Sequence, residues 1–93
     1  RKKESNMGRW YHLAKTLAPD MEAIIMEEIR ELPDVERADF SADKKYLLVE
    51  TAGDKYPAVM TRILNICCRV GNGCELSFAG FEEQLKGVVE VAG

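Results

Sequence analysis

The spacing of apolar residues in this chain alternates between the two-residue period of a strand and the period of about 3.6 residues of a helix. The first strand-like run places Tyr11 and Leu13 on one face, and the first helical run repeats Met21, Ile25 and Ile29. Turn-forming residues separate the runs. The pattern predicts a strand over 9–15, a helix over 19–32, strands over 35–40 and 45–51, a helix over 55–70 capped by Asp54, and a strand over 74–78.

The order βαββαβ, with helical crossovers, implies a four-stranded antiparallel sheet with two helices on one face. This is the α+β ferredoxin-like sandwich. A chain of 93 residues has room for one domain. We expect a flexible lead-in or linker over residues 1–8, the domain over 9–79, and a C-terminal tail or linker over 80–93. The tail contains apolar residues that fit a short helix, an added strand or the start of a further segment: Phe81, Leu85, Val88, Val89 and Val91.

Net charge and the length of the apolar runs argue against two kinds of partner. The formal net charge of −3 provides no general attraction for nucleic acid, so we expect none to bind. The basic residues Arg1, Lys2, Lys3 and Arg9 are typical of a solvated tail or linker. The longest apolar runs fall far short of the ~20 residues that span a bilayer, so we expect no membrane insertion by this segment.

The cysteine count bears on the cellular location of the protein, and the lack of a catalytic set of residues bears on whether it is an enzyme. Three cysteines are a poor basis for disulfides and predict a reducing, cytoplasmic location, which includes the cytosolic part of a membrane protein. The sequence shows no combination of nucleophile, base and orienting group, and no glycine-rich phosphate loop. We therefore expect no enzymatic activity from this segment and no cofactor within it.

The region around the first helix carries a family resemblance. It reads Leu32-Pro33-Asp34-Val35, then Ala38-Asp39-Phe40, then Leu47-Leu48-Val49. This run resembles the heavy-metal-associated domain, in which a helix ends in a Leu-Pro-Gly-Val-like turn before two central strands. The second helix, ending in Cys67-Cys68-Arg69-Val70, is similar in spacing to N-terminal domains of zinc- and cadmium-type P-type ATPases. The resemblance covers roughly residues 10–78 and implies a parent protein that transports a divalent heavy metal.

The paired-cysteine motif of that family is missing from this chain. The family's Gly-Met-x-Cys-x-x-Cys falls on Lys15 to Met21, with Ala18 and Met21 at the two cysteine positions. Soft cations need thiolates in such a loop, whereas Ala18 offers no donor and Met21 only a weak thioether. We therefore expect no high-affinity metal site in this loop. The cysteines elsewhere are a less favoured ligand set, because Cys67 and Cys74 fall on core positions and only Cys68 points to solvent.

These observations favour a degenerate heavy-metal-associated domain that makes regulatory or architectural contact with other domains of a metal-transporting P-type ATPase. Two alternatives stay open. One is a freestanding ferredoxin-like module that binds a protein or peptide, and the other is a metal carrier using Cys68, Met21 or acidic groups. The face of the sheet without helices is the expected contact surface, and it faces the tail, another domain or a partner. Its interface candidates are Trp10, His12, Tyr46 and Leu48.

Overall fold

The computed structural model describes residues 8–53 and 55–91. The lead-in up to residue 7 and the expected cap Asp54 lie outside the described residues. The strands form a single antiparallel sheet in the order β2-β3-β1-β4, which confirms the predicted ferredoxin-like α+β fold. The elements follow one another as β1 (Arg9–Leu13), α1 (Pro19–Arg30), β2 (Val35–Phe40), β3 (Tyr46–Thr51), α2 (Tyr56–Val70) and β4 (Leu76–Phe81).

The last strand differs from its prediction. It was expected over 74–78, but β4 begins at Leu76 and continues to Phe81, past the expected end of the domain at residue 79. A bulge allows this extension: Tyr11 lies opposite Phe78 and Trp10 opposite Gly80, so one extra residue of β4 is accommodated and pairing continues. Strand alternation predicts Phe78 on the same face as Leu76, towards the core, yet Phe78 is 53% exposed.

The main core lies between the helices and one face of the sheet. Ile25 and Ile29 of α1 and Ile63 of α2 are fully buried there. They pack on the side chains of β1 and β3 that alternate towards the helices, as the strand period predicts. Ile66 of α2 also belongs to this core. The strand residues of the core are Tyr11, Leu13, Ala38, Phe40, Leu47 and Val49.

Residues 82–91 cover part of the opposite face of the sheet. They form consecutive turns that end in a single bridge between Ser41 and Val91, rather than a helix or a full strand. The Glu82 N–H donates to the Gly8 carbonyl at 2.8 Å, and the Glu90 carbonyl accepts from the Ala42 N–H at 2.7 Å. The C-terminal segment, as we call residues 82–91, is thus fixed at both ends. Within the described part of the chain, no helix is long and apolar enough to cross a membrane.

Candidate functional site

The loop between β1 and α1, where the resemblance places a metal site, is packed against the end of α2. Leu17 is buried, and its Cδ2 would lie 3.0 Å from a Cβ added to Gly71. The Lys15 ammonium donates a hydrogen bond to the Asn72 carbonyl just beyond α2. Such a cation beside a helix C-terminus is favoured by the helix dipole. The loop is therefore closed onto α2 by one apolar and one polar contact.

Ala18 and Met21, at the positions that the resemblance aligns with the family's two cysteines, lie at the start of α1. Ala18 occupies the N-cap, and its carbonyl accepts from the Glu22 N–H at 2.9 Å. The partly buried Met21 packs against the main core. Pro19 begins the helix, where its fixed φ suits the first turn and its missing N–H costs no hydrogen bond. These residues form a helix start with a proline in its first turn and no side-chain cap at Ala18.

The three cysteines lie as the helical and strand phases predict: Cys67 and Cys74 are buried and Cys68 is exposed. Burial, with a smaller effect of the neighbouring Cys74, raises the pKa of the Cys67 thiol to about 12. Cys67 is therefore protonated at neutral pH and packs as a small apolar group. Among residues 8–53 and 55–91, no three His, Cys, Asp or Glu side chains are grouped closely enough to hold a metal ion.

The four interface candidates lie on one face of the sheet, which the C-terminal segment covers in part while His12 stays exposed. Trp10 is 1% exposed and Leu48 is fully buried, because Leu85 and Val89 of the C-terminal segment cover them. Tyr46 is half-buried and lies edge-on to Trp10, with ring centroids 6.4 Å apart. Of the three expected contacts of this face, namely the tail, another domain or a partner, the structure shows contact with the tail.

A second apolar surface lies on the helix side of the sheet, between α2 and the edge strand β4. It is a groove of about 220 Å³, which we call the α2–β4 groove. Phe78 and Leu64 are 53% and 40% exposed there, and Phe81 adjoins Phe78 at a centroid distance of 5.4 Å. The residues lining the groove are Arg9, Tyr11, Tyr56, Pro57, Met60, Leu64, Leu76 and Phe78.

Arg9 is the charged residue among the described residues that line this groove. Its guanidinium carbon lies 3.9 Å from the centroid of the Tyr56 ring and 5.4 Å from that of Phe81, in cation–π geometry. Burial raises the pKa of the Tyr11 hydroxyl, and the adjacent Arg9 partly offsets that rise. Within the described ranges, no carboxylate lies within ion-pair distance of Arg9. The groove thus combines apolar walls with one positive charge.

Sequence patterns do not predict this groove. Simple alternation placed Phe78 in the core, and Arg9 was interpreted as part of a basic tail. The one local signal is the spacing of Phe78 and Phe81 around Ala79-Gly80, which puts two aromatic residues on one side only if the strand contains a bulge. Whether a helix covers them depends on the position of α2, which local sequence does not specify.

Neither family models, nor curated proteins, nor solved structures match this chain. The fold assignment therefore rests on the topology of the chain itself. The resemblance to heavy-metal-associated domains, and the membrane pump that it implies, stay predictions.

Proposed function

We propose that this chain is a non-enzymatic contact domain: a degenerate heavy-metal-associated domain with a regulatory or architectural role in a metal-transporting P-type ATPase. The observation that carries the proposal is that the β1–α1 loop packs against α2 and contains no cysteine. Ala18 and Met21 stand where the family has its thiols, and Leu17 and Lys15 close the loop onto α2. The transport reaction would belong to other parts of the parent protein.

Packing of this loop replaces the stabilisation that a bound ion would supply. Burial of a leucine such as Leu17 contributes roughly 1.5–3 kcal/mol. Met21 adds to this through its contact with the main core. The domain would therefore be folded, and able to contact its neighbours, at any metal concentration. Such behaviour suits constant docking to a pump rather than delivery of its cargo.

The metal part of the proposal is tested by calorimetric titration of the reduced protein with Zn²⁺, Cd²⁺ and Cu(I). We expect no stoichiometric submicromolar site. The double variant Ala18→Cys with Met21→Cys should gain a site, because two thiolates are the donors that these ions prefer. The matched control is Ala18→Ser with Met21→Ser, which should gain none. A tight site in the unmodified protein that Met21→Ala abolishes would contradict the proposal.

The pump part is tested by the native reading frame beyond Gly93. Continuation into hydrophobic spans with a P-type ATPase catalytic domain is the expected result. Deletion of this domain should then change the metal-dependent ATPase activity of the parent protein without abolishing it. A frame without such spans would favour the alternative of a freestanding module that binds a protein or peptide.

A further inference from the structure

The edge strand β4 has a short stretch of backbone directed away from the sheet. Among the strands of the described residues, β4 pairs with no neighbour other than β1, and the Ala14 N–H donates to the Glu75 carbonyl at 2.9 Å. Because hydrogen-bonded pairs alternate along an antiparallel ladder, Ser77 bonds to β1, whereas the polar backbone groups of Leu76 and Phe78 face outwards. An added strand would pair with these groups.

The same edge is blocked beyond Phe78, and this limits the length of an added strand. The outward N–H of Phe81 already donates to the Gln84 Oε1 at 2.9 Å. The bulge in β4 also alters the strand direction at this point, and bulges are a common protection of sheet edges. The open stretch from Leu76 to Phe78 therefore suits a short segment of a few residues.

The groove beside this stretch indicates what an added segment would carry. Alternate side chains of an added strand would point towards the helices, onto the exposed Leu64 and Phe78. Arg9 lines the same groove, and none of the described residues that line it carries a carboxylate. A guanidinium held between aromatic rings presents its donors in a geometry that matches a carboxylate. Charge complementarity therefore selects an acidic segment.

We propose that the α2–β4 groove binds an extended peptide segment with alternating apolar residues and one carboxylate. Its backbone would bond to Leu76 and Phe78, its apolar side chains would cover Leu64 and Phe78, and its carboxylate would pair with Arg9. This mode of binding is strand addition to a sheet edge. The groove lies apart from the β1–α1 loop, so a test of peptide binding does not depend on the proposed loss of the metal site.

The test uses a surface-displayed library of random nonapeptides selected on the purified protein. We expect the selected peptides to alternate apolar residues and to share an Asp, a Glu or a free C-terminal carboxylate. The best peptide is then synthesised with its carboxylate intact and with the matching amide. Arg9→Gln should weaken binding of the acidic peptide about tenfold, and the amide peptide should bind both proteins equally weakly, as a pairwise interaction requires.

Two further variants locate the site without disturbing the core. Leu64→Ser should weaken peptide binding, whereas Val88→Ser, at a position that is 77% exposed elsewhere on the surface, should not. Bound peptide should also slow amide hydrogen exchange at Leu76 and Phe78. Selected peptides that bind Arg9→Gln and Leu64→Ser as tightly as the unmodified protein would overturn the proposal. So would the absence of any selected peptide, or self-association that Leu64→Ser abolishes, which would assign the groove to a second copy.

Discussion

The C-terminal segment should detach from the sheet when Val89 is replaced by aspartate. Val89 is 9% exposed and packs with Trp10 and Leu48. A carboxylate has no cationic partner in this apolar cluster, so Val89→Asp is expected to move the segment into solvent. Val88, the adjacent residue, is 77% exposed, and Val88→Asp makes the same chemical change without loss of a buried contact.

The size of the effect follows from the burial of Val89. A fully buried valine contributes roughly 1.5–3 kcal/mol. The other contacts of the segment include the packing of Leu85, the backbone hydrogen bonds at its two ends and the bridge of Val91. We therefore expect Val89→Asp to lower the free energy of unfolding by about 2 kcal/mol. The Val88→Asp control should stay within about 0.5 kcal/mol of the unmodified protein, as is usual for surface substitutions.

Trp10 makes this experiment direct, because it is the single tryptophan of the chain and lies under the segment. Detachment should shift its fluorescence to longer wavelength and increase quenching by acrylamide, while the far-ultraviolet circular dichroism of the helices persists. Unchanged Trp10 emission in Val89→Asp would refute the reasoning. So would equal shifts in Val89→Asp and Val88→Asp, because the response would then reflect charge rather than burial.

The cysteines supply three further predictions. Cys68 should react with iodoacetamide in the native protein while Cys67 and Cys74 stay protected, and equal reaction of all three would contradict the packing of α2. Because burial raises the pKa of Cys67 from 9.0 to about 12, the unfolded chain loses this proton first, and the free energy of unfolding should fall as pH rises through that range. The fall should approach roughly 1.4 kcal/mol per pH unit, and Cys67→Ala should flatten it in urea unfolding at a series of pH values. Cys67→Asp should lower the free energy of unfolding at neutral pH by roughly 2–4 kcal/mol, whereas Cys68→Asp should change it little.

Elements bounded by strong local signals could be predicted from the sequence. The strand after Pro33 has the predicted limits, because a proline and a turn enclose it. The orientation of Cys67 and Cys68 followed from the helical period alone, since neighbouring helical residues diverge by about a hundred degrees. The fold class then followed from the order of elements, because few arrangements connect them without crossing.

The candidate sites could not be predicted from local sequence, because they form between segments that are distant along the chain. Alternation gives Phe78 its correct face of the sheet but carries no information on whether α2 covers it, and the bulge that brings Phe81 beside Phe78 has no distinctive composition. The four-residue spacing of Leu85 and Val89 suits several structures, and their contact with Trp10 depends on how much of the sheet lies open after folding. The groove likewise exists because α2 leaves the β4 side chains exposed, which is a property of packing between distant segments.

The strand order also affects how the protein is made. β1 is synthesised first but lies between β3 and β4, so its last neighbour arrives roughly 60 residues later. At synthesis rates of about 5–20 residues per second, the edge of β1 that pairs with β4 stays unpaired for roughly 3–12 seconds. During that time the nascent chain exposes an unpaired strand carrying Trp10 and Tyr11. Ribosome-bound chains that stop before β4 should therefore aggregate or recruit chaperones, whereas chains that include it should not.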